Sequence, residues 1–123
     1  MILVDTAVWI EHFRRRSEPL ETLLANEEVL AHPFVIGELA MGNFPRRESV
    51  LRQLGTLPSS PVASFEEVLH LVERNRLFGK GIGYIDAHLL AGVLLVEDTR
   101  LWTLDKALLA MARQLRIAYE PFQ

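Results

Sequence analysis

An unbroken apolar run opens the chain, Ile2-Leu3-Val4, and it stops at a carboxylate, Asp5. A run rich in β-branched residues and free of polar alternation reads as a short strand covered on both faces, as in a parallel sheet. The residues that follow suit a helix over 6–13, with Val8, Trp9, His12 and Phe13 at helical spacing. A carboxylate therefore stands where a buried strand gives way to a helix. In open parallel sheets, ligands bind beyond the carboxyl ends of the strands. Asp is also a favoured helix N-cap, and Asp5 taken alone fits either use.

The same alternation continues along the chain. Helices are expected over 17–26, 33–41, 46–54, 64–78, 84–95 and 106–115. Pro19 and Pro33 suit first-turn positions, and Ser64 with Glu67 forms a capping-box pattern. Short strands are expected over 29–31, 61–63, 101–104 and 117–119, with loops over 55–61 and 79–83. Strands alternating with a surplus of helices predict an α/β fold, a small central parallel sheet with helices on both faces. No repeat, low-complexity tract or long linker divides the 123 residues, so a single domain over 1–123 is expected.

Composition narrows the function classes. The chain is 50% hydrophobic and 24% charged, as in globular domains. A net charge of −3 argues against a strongly basic nucleic-acid binder while leaving room for a local basic patch. The absence of cysteine excludes disulfides, thiolate zinc sites and a cysteine nucleophile, and suits a reducing compartment. No basic run precedes the first apolar residues, which Asp5 interrupts, so they do not read as a secretory signal. The longest apolar stretch, 89–96, is far short of the roughly 20 residues that span a bilayer. A cytoplasmic protein without membrane contact is expected.

Three further acids share the odd placement of Asp5. Glu38 lies inside the helix expected from Pro33, on or beside its apolar face. Asp86 precedes Leu89 and Leu90 by three and four residues, which puts it toward the buried side of its helix. Asp105 follows the strand over 101–104 and repeats the arrangement at Asp5. A carboxylate facing a core is costly unless paired, hydrogen-bonded or metal-bound. In a parallel sheet these positions can converge at one edge. Clustered carboxylates repel unless a cation intervenes, and hard oxygen ligands without His or Cys select Mg2+ or Mn2+. Such an ion activates water and stabilises a leaving oxygen, the chemistry of phosphate-ester hydrolysis. Thr6 and Thr103 are placed to hydrogen-bond a carboxylate or a metal-bound water. Two readings stand side by side at this point: a metal site, and a set of helix caps in a non-catalytic domain. A third, a receiver-like phosphoryl-accepting domain, needs a mid-chain acceptor Asp after a strand and a Lys closing a later one. Here the mid-chain acid is Glu38 within a helix, and the lysine is Lys106 after Asp105.

Four segments together resemble a known family. Ile2-Leu3-Val4-Asp5-Thr6-Ala7-Val8-Trp9-Ile10, Val35-Ile36-Gly37-Glu38-Leu39, Ile85-Asp86-Ala87-His88-Leu89-Leu90-Ala91 and Leu101-Trp102-Thr103-Leu104-Asp105 look like PIN-domain ribonucleases, and within them the VapC toxins of toxin–antitoxin pairs. The resemblance covers nearly the whole chain. It implies a three-layer α/β/α sandwich and a Mg2+- or Mn2+-dependent endoribonuclease. It implies that Asp5, Glu38, Asp86 and Asp105 form the catalytic and metal-binding group; this sequence departs from the family in the extra acids Glu97 and Asp98, of which Asp98 is a rival or helper for Asp105. It also implies an RNA substrate, a VapB-like antitoxin and a homodimer. Gly92 stands where the family often carries Ala.

Other features are secondary. Arg14, Arg15, Arg16 and Lys80 are candidate RNA contacts, and equally solvated helix ends. Gly79-Lys80-Gly81-Ile82-Gly83 lacks P-loop spacing and reads as a mobile loop. His12, His32, His70 and His88 show no paired metal spacing and read as structural or surface residues. Trp9, Phe13, Leu20 and Leu24 can line an apolar groove for an antitoxin helix, or serve as core.

Overall fold

The computed structural model describes residues 1–121. Its centre is β1 (Ile2–Val4), whose three side chains are buried. It pairs in parallel with β2 (Val29–Leu30) on one side and β3 (Arg100–Trp102) on the other, giving the order β2-β1-β3. The register sets Leu3 beside Leu30 and Leu101, and Val4 beside Trp102. Single bridges widen the sheet, Ser59 beside Ala31 and Ala118 beside Leu101.

Seven helices are found among the described residues: α1 (Thr6–Arg14), α2 (Glu18–Ala25), α3 (Pro33–Ala40), α4 (Arg47–Leu54), α5 (Phe65–Asn75), α6 (Tyr84–Leu94) and α7 (Lys106–Gln114). With the sheet they form the expected α/β/α sandwich. Their starts follow local chemistry. Asp5, Ser17, His32, Ser64 and Asp105 each accept an amide hydrogen bond as N-caps, and Ser64 with Glu67 closes a full capping box. The most buried helix is α6, in which 87–93 are all buried, so it runs through the middle of the core. The principal cluster joins the sheet to Trp9, Leu20, Val35, Leu77, Leu89, Leu90 and Leu108. No helix among the described residues is long and apolar enough to cross a membrane.

Three boundaries differ from expectation. The segment 61–63 is not a strand; pairing with β2 is made earlier, by Ala31 N donating to Pro58 O at 2.8 Å and Ser60 N to Ala31 O at 2.7 Å. The next donor on the β2 side would be Pro33, which has no amide hydrogen and already opens α3, so the ladder stops there. The segment 117–119 makes one bridge, with Leu101 N donating to Ile117 O and Tyr119 N to Leu101 O, and is not a full strand. Helix α5 ends at Asn75 and not near Phe78. Arg76 turns left-handed at φ 53°, and Leu77 N returns to Val72 O at 3.0 Å. That turn delivers Leu77 into the core at 1% exposure.

Gly92 is set by packing. A Cβ there would lie 2.6 Å from Ser60 Oγ, 3.2 Å from His32 Cδ2 and 3.3 Å from Pro61 O. At position 92, α6 thus lies close against the loop beside β2, and an Ala does not fit without a shift.

Candidate active site

The parallel register decides which acids meet. The β1–β3 ladder continues one residue past β1, with Asp5 N donating to Trp102 O at 3.0 Å. Thr103, the next residue, is thereby brought beside Asp5. Its Oγ1 donates to Asp5 Oδ2 at 2.7 Å, a buried hydrogen bond across the carboxyl edge of the sheet. Asp5 Oδ1 accepts from Thr6 N at 2.7 Å, so the same carboxylate caps α1. Thr6 Oγ1 in turn donates to Glu38 Oε1 at 2.7 Å and ties α1 to α3.

Asp5 is only 8% exposed, and burial raises its carboxyl pKa above the ordinary value. The hydrogen bonds from Thr103 and Thr6 oppose that rise, while the charges of Asp86 and Glu38 add to it. Asp5, Glu38 and Asp86 therefore share one electrostatic environment, reached from β1, α3 and the first turn of α6. Asp86 is half-buried, and its Oδ2 accepts from Gly83 N at 2.9 Å. Asp105 joins the group at one remove. Its amide donates to Thr103 Oγ1 at 3.1 Å, but its exposed carboxylate caps α7 through Leu108 N at 2.9 Å. Asp98 lies at the opposite edge of the sheet, where its carbonyl accepts from the Met1 ammonium at 3.0 Å. Three-residue β3 separates the two acids, which leaves Asp98 no route to the position of Asp105.

Among the described residues, no three His, Asp or Glu side chains are arranged to hold a metal ion as they stand. Thr6 links Asp5 to Glu38 and Thr103 links it to the Asp105 amide, while the carboxylates of Asp86 and Asp105 accept from the nearby amides of Gly83 and Leu108.

Of the basic residues, Arg14, Arg15 and Arg16 are exposed; Arg14 lies 3.6 Å from Glu11 and Arg16 2.8 Å from Glu21. Exposed pairs of this kind hold the guanidinium weakly. Lys80 is exposed between Gly79 and Gly81, both at positive φ, and a Cβ on Gly81 would sit 3.5 Å from that of Ala107 at the start of α7. Lys80 is thus on the carboxyl-edge side. Arg47 is otherwise engaged, its guanidinium donating to the carbonyls of Ala40 and Gly42 at the end of α3.

The apolar groove lies between α1, α2 and α4, lined by Trp9, Phe13, Leu24, Val50, Leu54 and Leu57 with a volume of about 220 Å3. Leu20 is not part of it, being fully buried. A feature not legible in the sequence is a buried histidine pair. His32 Nδ1 accepts from Phe34 N at 3.0 Å, and its Nε2 and His88 Nδ1 are both buried without a partner. Their separation of 56 residues hides the pairing.

A short parallel sheet with a buried carboxylate, Asp5, at its carboxyl edge and helices on both faces fits an α/β domain of the PIN class. Two sequences from Mycobacterium tuberculosis, both named Ribonuclease VapC32 and found in strains CDC 1551 / Oshkosh and ATCC 25618 / H37Rv, are each 49% identical to this chain over 118 residues. The match covers 96% of this chain and 95% of each relative. The chain belongs to the VapC family of PIN-domain ribonucleases. No family model matches it.

Proposed function

We propose that the chain is a divalent-metal-dependent endoribonuclease, acting as the toxin of a toxin–antitoxin pair and built as one PIN-like domain over 1–123. The state of Asp5 carries the reading. It is a buried carboxylate at the carboxyl edge of the central strand, with two more carboxylates acting on it and no ion pair to a cation among the described residues. A charge so placed calls for a counter-charge. The donor set available, Asp5, Glu38, Asp86 and Asp105, is all oxygen and suits Mg2+ or Mn2+. Such an ion, when bound, activates a water and relieves charge on the leaving oxygen of a phosphodiester. The chain's own part is to orient the donors. Thr103 and Thr6 hold Asp5, Thr6 holds Glu38, and the Gly83 amide holds Asp86.

RNA as substrate is supported by the relatives' name, ribonuclease. Arg14, Arg15, Arg16 and Lys80 supply cations for its phosphates. A VapB-like antitoxin helix suits the groove beside Trp9, Phe13 and Leu24. A homodimer and a cytoplasmic location complete the reading.

The backbone contacts of Asp86 and Asp105 favour a second reading, a non-catalytic acidic-pocket domain that acts through protein partners. One experiment separates the two. Total RNA is incubated with the parent protein in Mn2+, in Mg2+ and in EDTA, beside Asp5→Asn and Asp86→Asn. The nuclease reading expects cleavage with metal only, and a loss of roughly a hundredfold or more in each variant. Cleavage that persists in EDTA, or in both variants, overturns it.

A further inference from the structure

A second cleft opens beside the acidic group. It has a volume of about 290 Å3 and lies between α1 and the turn after α3, with Phe13, Arg14, Glu38, Asn43 and Phe44 on its walls. Glu38 belongs to both places: its Oε1 takes the Thr6 hydroxyl, and its side chain forms part of the cleft. The cleft therefore borders the acidic group through Glu38. Two of its lining residues are aromatic. Phe13 and Phe44 stack with centroids 4.8 Å apart and planes at 17°, and both keep part of their surface exposed. Ile10, Leu39 and Pro45 add apolar surface, and the exposed residues Asn43 and Arg14 also line the cleft, Arg14 making an exposed contact to Glu11. Aromatic surface, an amide with both donor and acceptor, and a cation lining one cleft together match one chemical unit: a planar base with hydrogen-bonding edges, joined to a phosphate.

We propose that this cleft is a nucleobase subsite. It receives the base next to the scissile phosphodiester, stacks it on the Phe13–Phe44 pair, and reads its edge through Asn43, while Arg14 takes the neighbouring phosphate. The proposal rests on the ribonuclease reading above and adds to it the origin of sequence preference. A partner peptide is the competing occupant, but an apolar peptide side chain has no use for the amide and cation that line the cleft.

The test is cleavage of a single-stranded RNA library with randomised bases, with the ends sequenced, for the parent, Phe44→Ala, Phe44→Leu, Phe44→Trp and Asn43→Ala. The parent is expected to prefer certain bases at one position beside the cut. Phe44→Ala is expected to lose about tenfold in kcat/KM, mainly through KM, as befits one base–aromatic stack. Phe44→Leu, which keeps apolar bulk without a π face, is expected to resemble Phe44→Ala, and Phe44→Trp to recover. Asn43→Ala, at an exposed position, is expected to flatten the base preference. An abasic nucleotide at the preferred position should weaken the parent about tenfold and Phe44→Ala no further. A parent that cleaves RNA while Phe44→Ala and Asn43→Ala match it in rate and preference overturns the subsite alone. A parent that cleaves no RNA overturns the nuclease reading and the subsite with it. Variants that cleave normally but lose only a bound partner peptide assign the cleft to that partner and overturn the proposal.

Discussion

Thr103 is the residue on which the geometry of Asp5 turns. Its hydroxyl donates to Asp5 Oδ2 and accepts from the Asp105 amide, so one oxygen links two of the four acids. Thr103→Val keeps the shape and removes both bonds. Losing a hydrogen bond to a charged group costs about 1.5–3 kcal/mol, so urea unfolding should show a loss of that size, with Thr103→Ser recovering most of it. The same bond lowers the Asp5 pKa against the rise from burial, so the Val variant should push that carboxyl further up, as read by NMR titration of its carboxyl carbon. At this scale the sequence was informative. Asp5 at the end of an apolar run and Thr103 two residues before Asp105 stood out by position alone. Which oxygen met which did not, because each acid had an equally good use as a local cap, and Asp86 and Asp105 make that use.

At the scale of elements, helices were easier to place than strands. A helix is written in contacts three and four residues apart and in its cap, and all seven were anticipated. The outer strands were not so well marked. The pairing beside β2 fell at Ser59 and not at 61–63, and 117–119 contributed a bridge only, since an edge pairing depends on a neighbour far away in sequence. The left-handed turn at Arg76 was hidden for a related reason, because Arg carries no signal for positive φ, and the gain lies in burying Leu77. Gly92 shows what contact between elements demands. Gly92→Ala places a methyl against Ser60, His32 and Pro61, and overpacking of this kind costs about 1–3 kcal/mol. Thermal unfolding should register the loss. An unchanged midpoint would mean that the loop at Ser60 yields freely.

Across the whole molecule, burial sets the response to acid. His32 is fully buried, which lowers its pKa to about 4, with the neighbouring His88 adding to the effect. Unfolded histidine takes up its proton near 6.5. Between those values the unfolded chain binds more protons than the folded one, so His32 makes stability fall as pH drops from about 6.5 toward 4. The contribution is on the order of 3 kcal/mol. Burial lowers His12 and His88 in the same direction. Asp5 works the other way, because its raised pKa favours folding below 3.8 and that advantage is lost as pH rises through its folded value. His32→Asn keeps an acceptor for Phe34 N at the cap of α3 and removes the titration. Urea unfolding from about pH 7 to about pH 5 should therefore give a flatter profile for this variant than for the parent. An equally steep profile would place the acid sensitivity elsewhere.

Read as a string, the chain already contained its class: a buried strand ending in Asp5, helices with their caps, an oxygen-only set of acids, and motifs in the order of one family. Those properties are local, carried by hydrophobic runs and by side chains a few residues apart, and they need no knowledge of the rest of the molecule. Folding alone chose the partners. Asp5 meets Thr103 across 98 positions because β1 and β3 run parallel in one register, and Thr6 reaches Glu38 across 32 because α1 packs on α3. The buried histidine pair and the aromatic cleft beside Glu38 have the same origin. Such juxtapositions follow from how layers stack, a long-range balance of burial that no short window of sequence records.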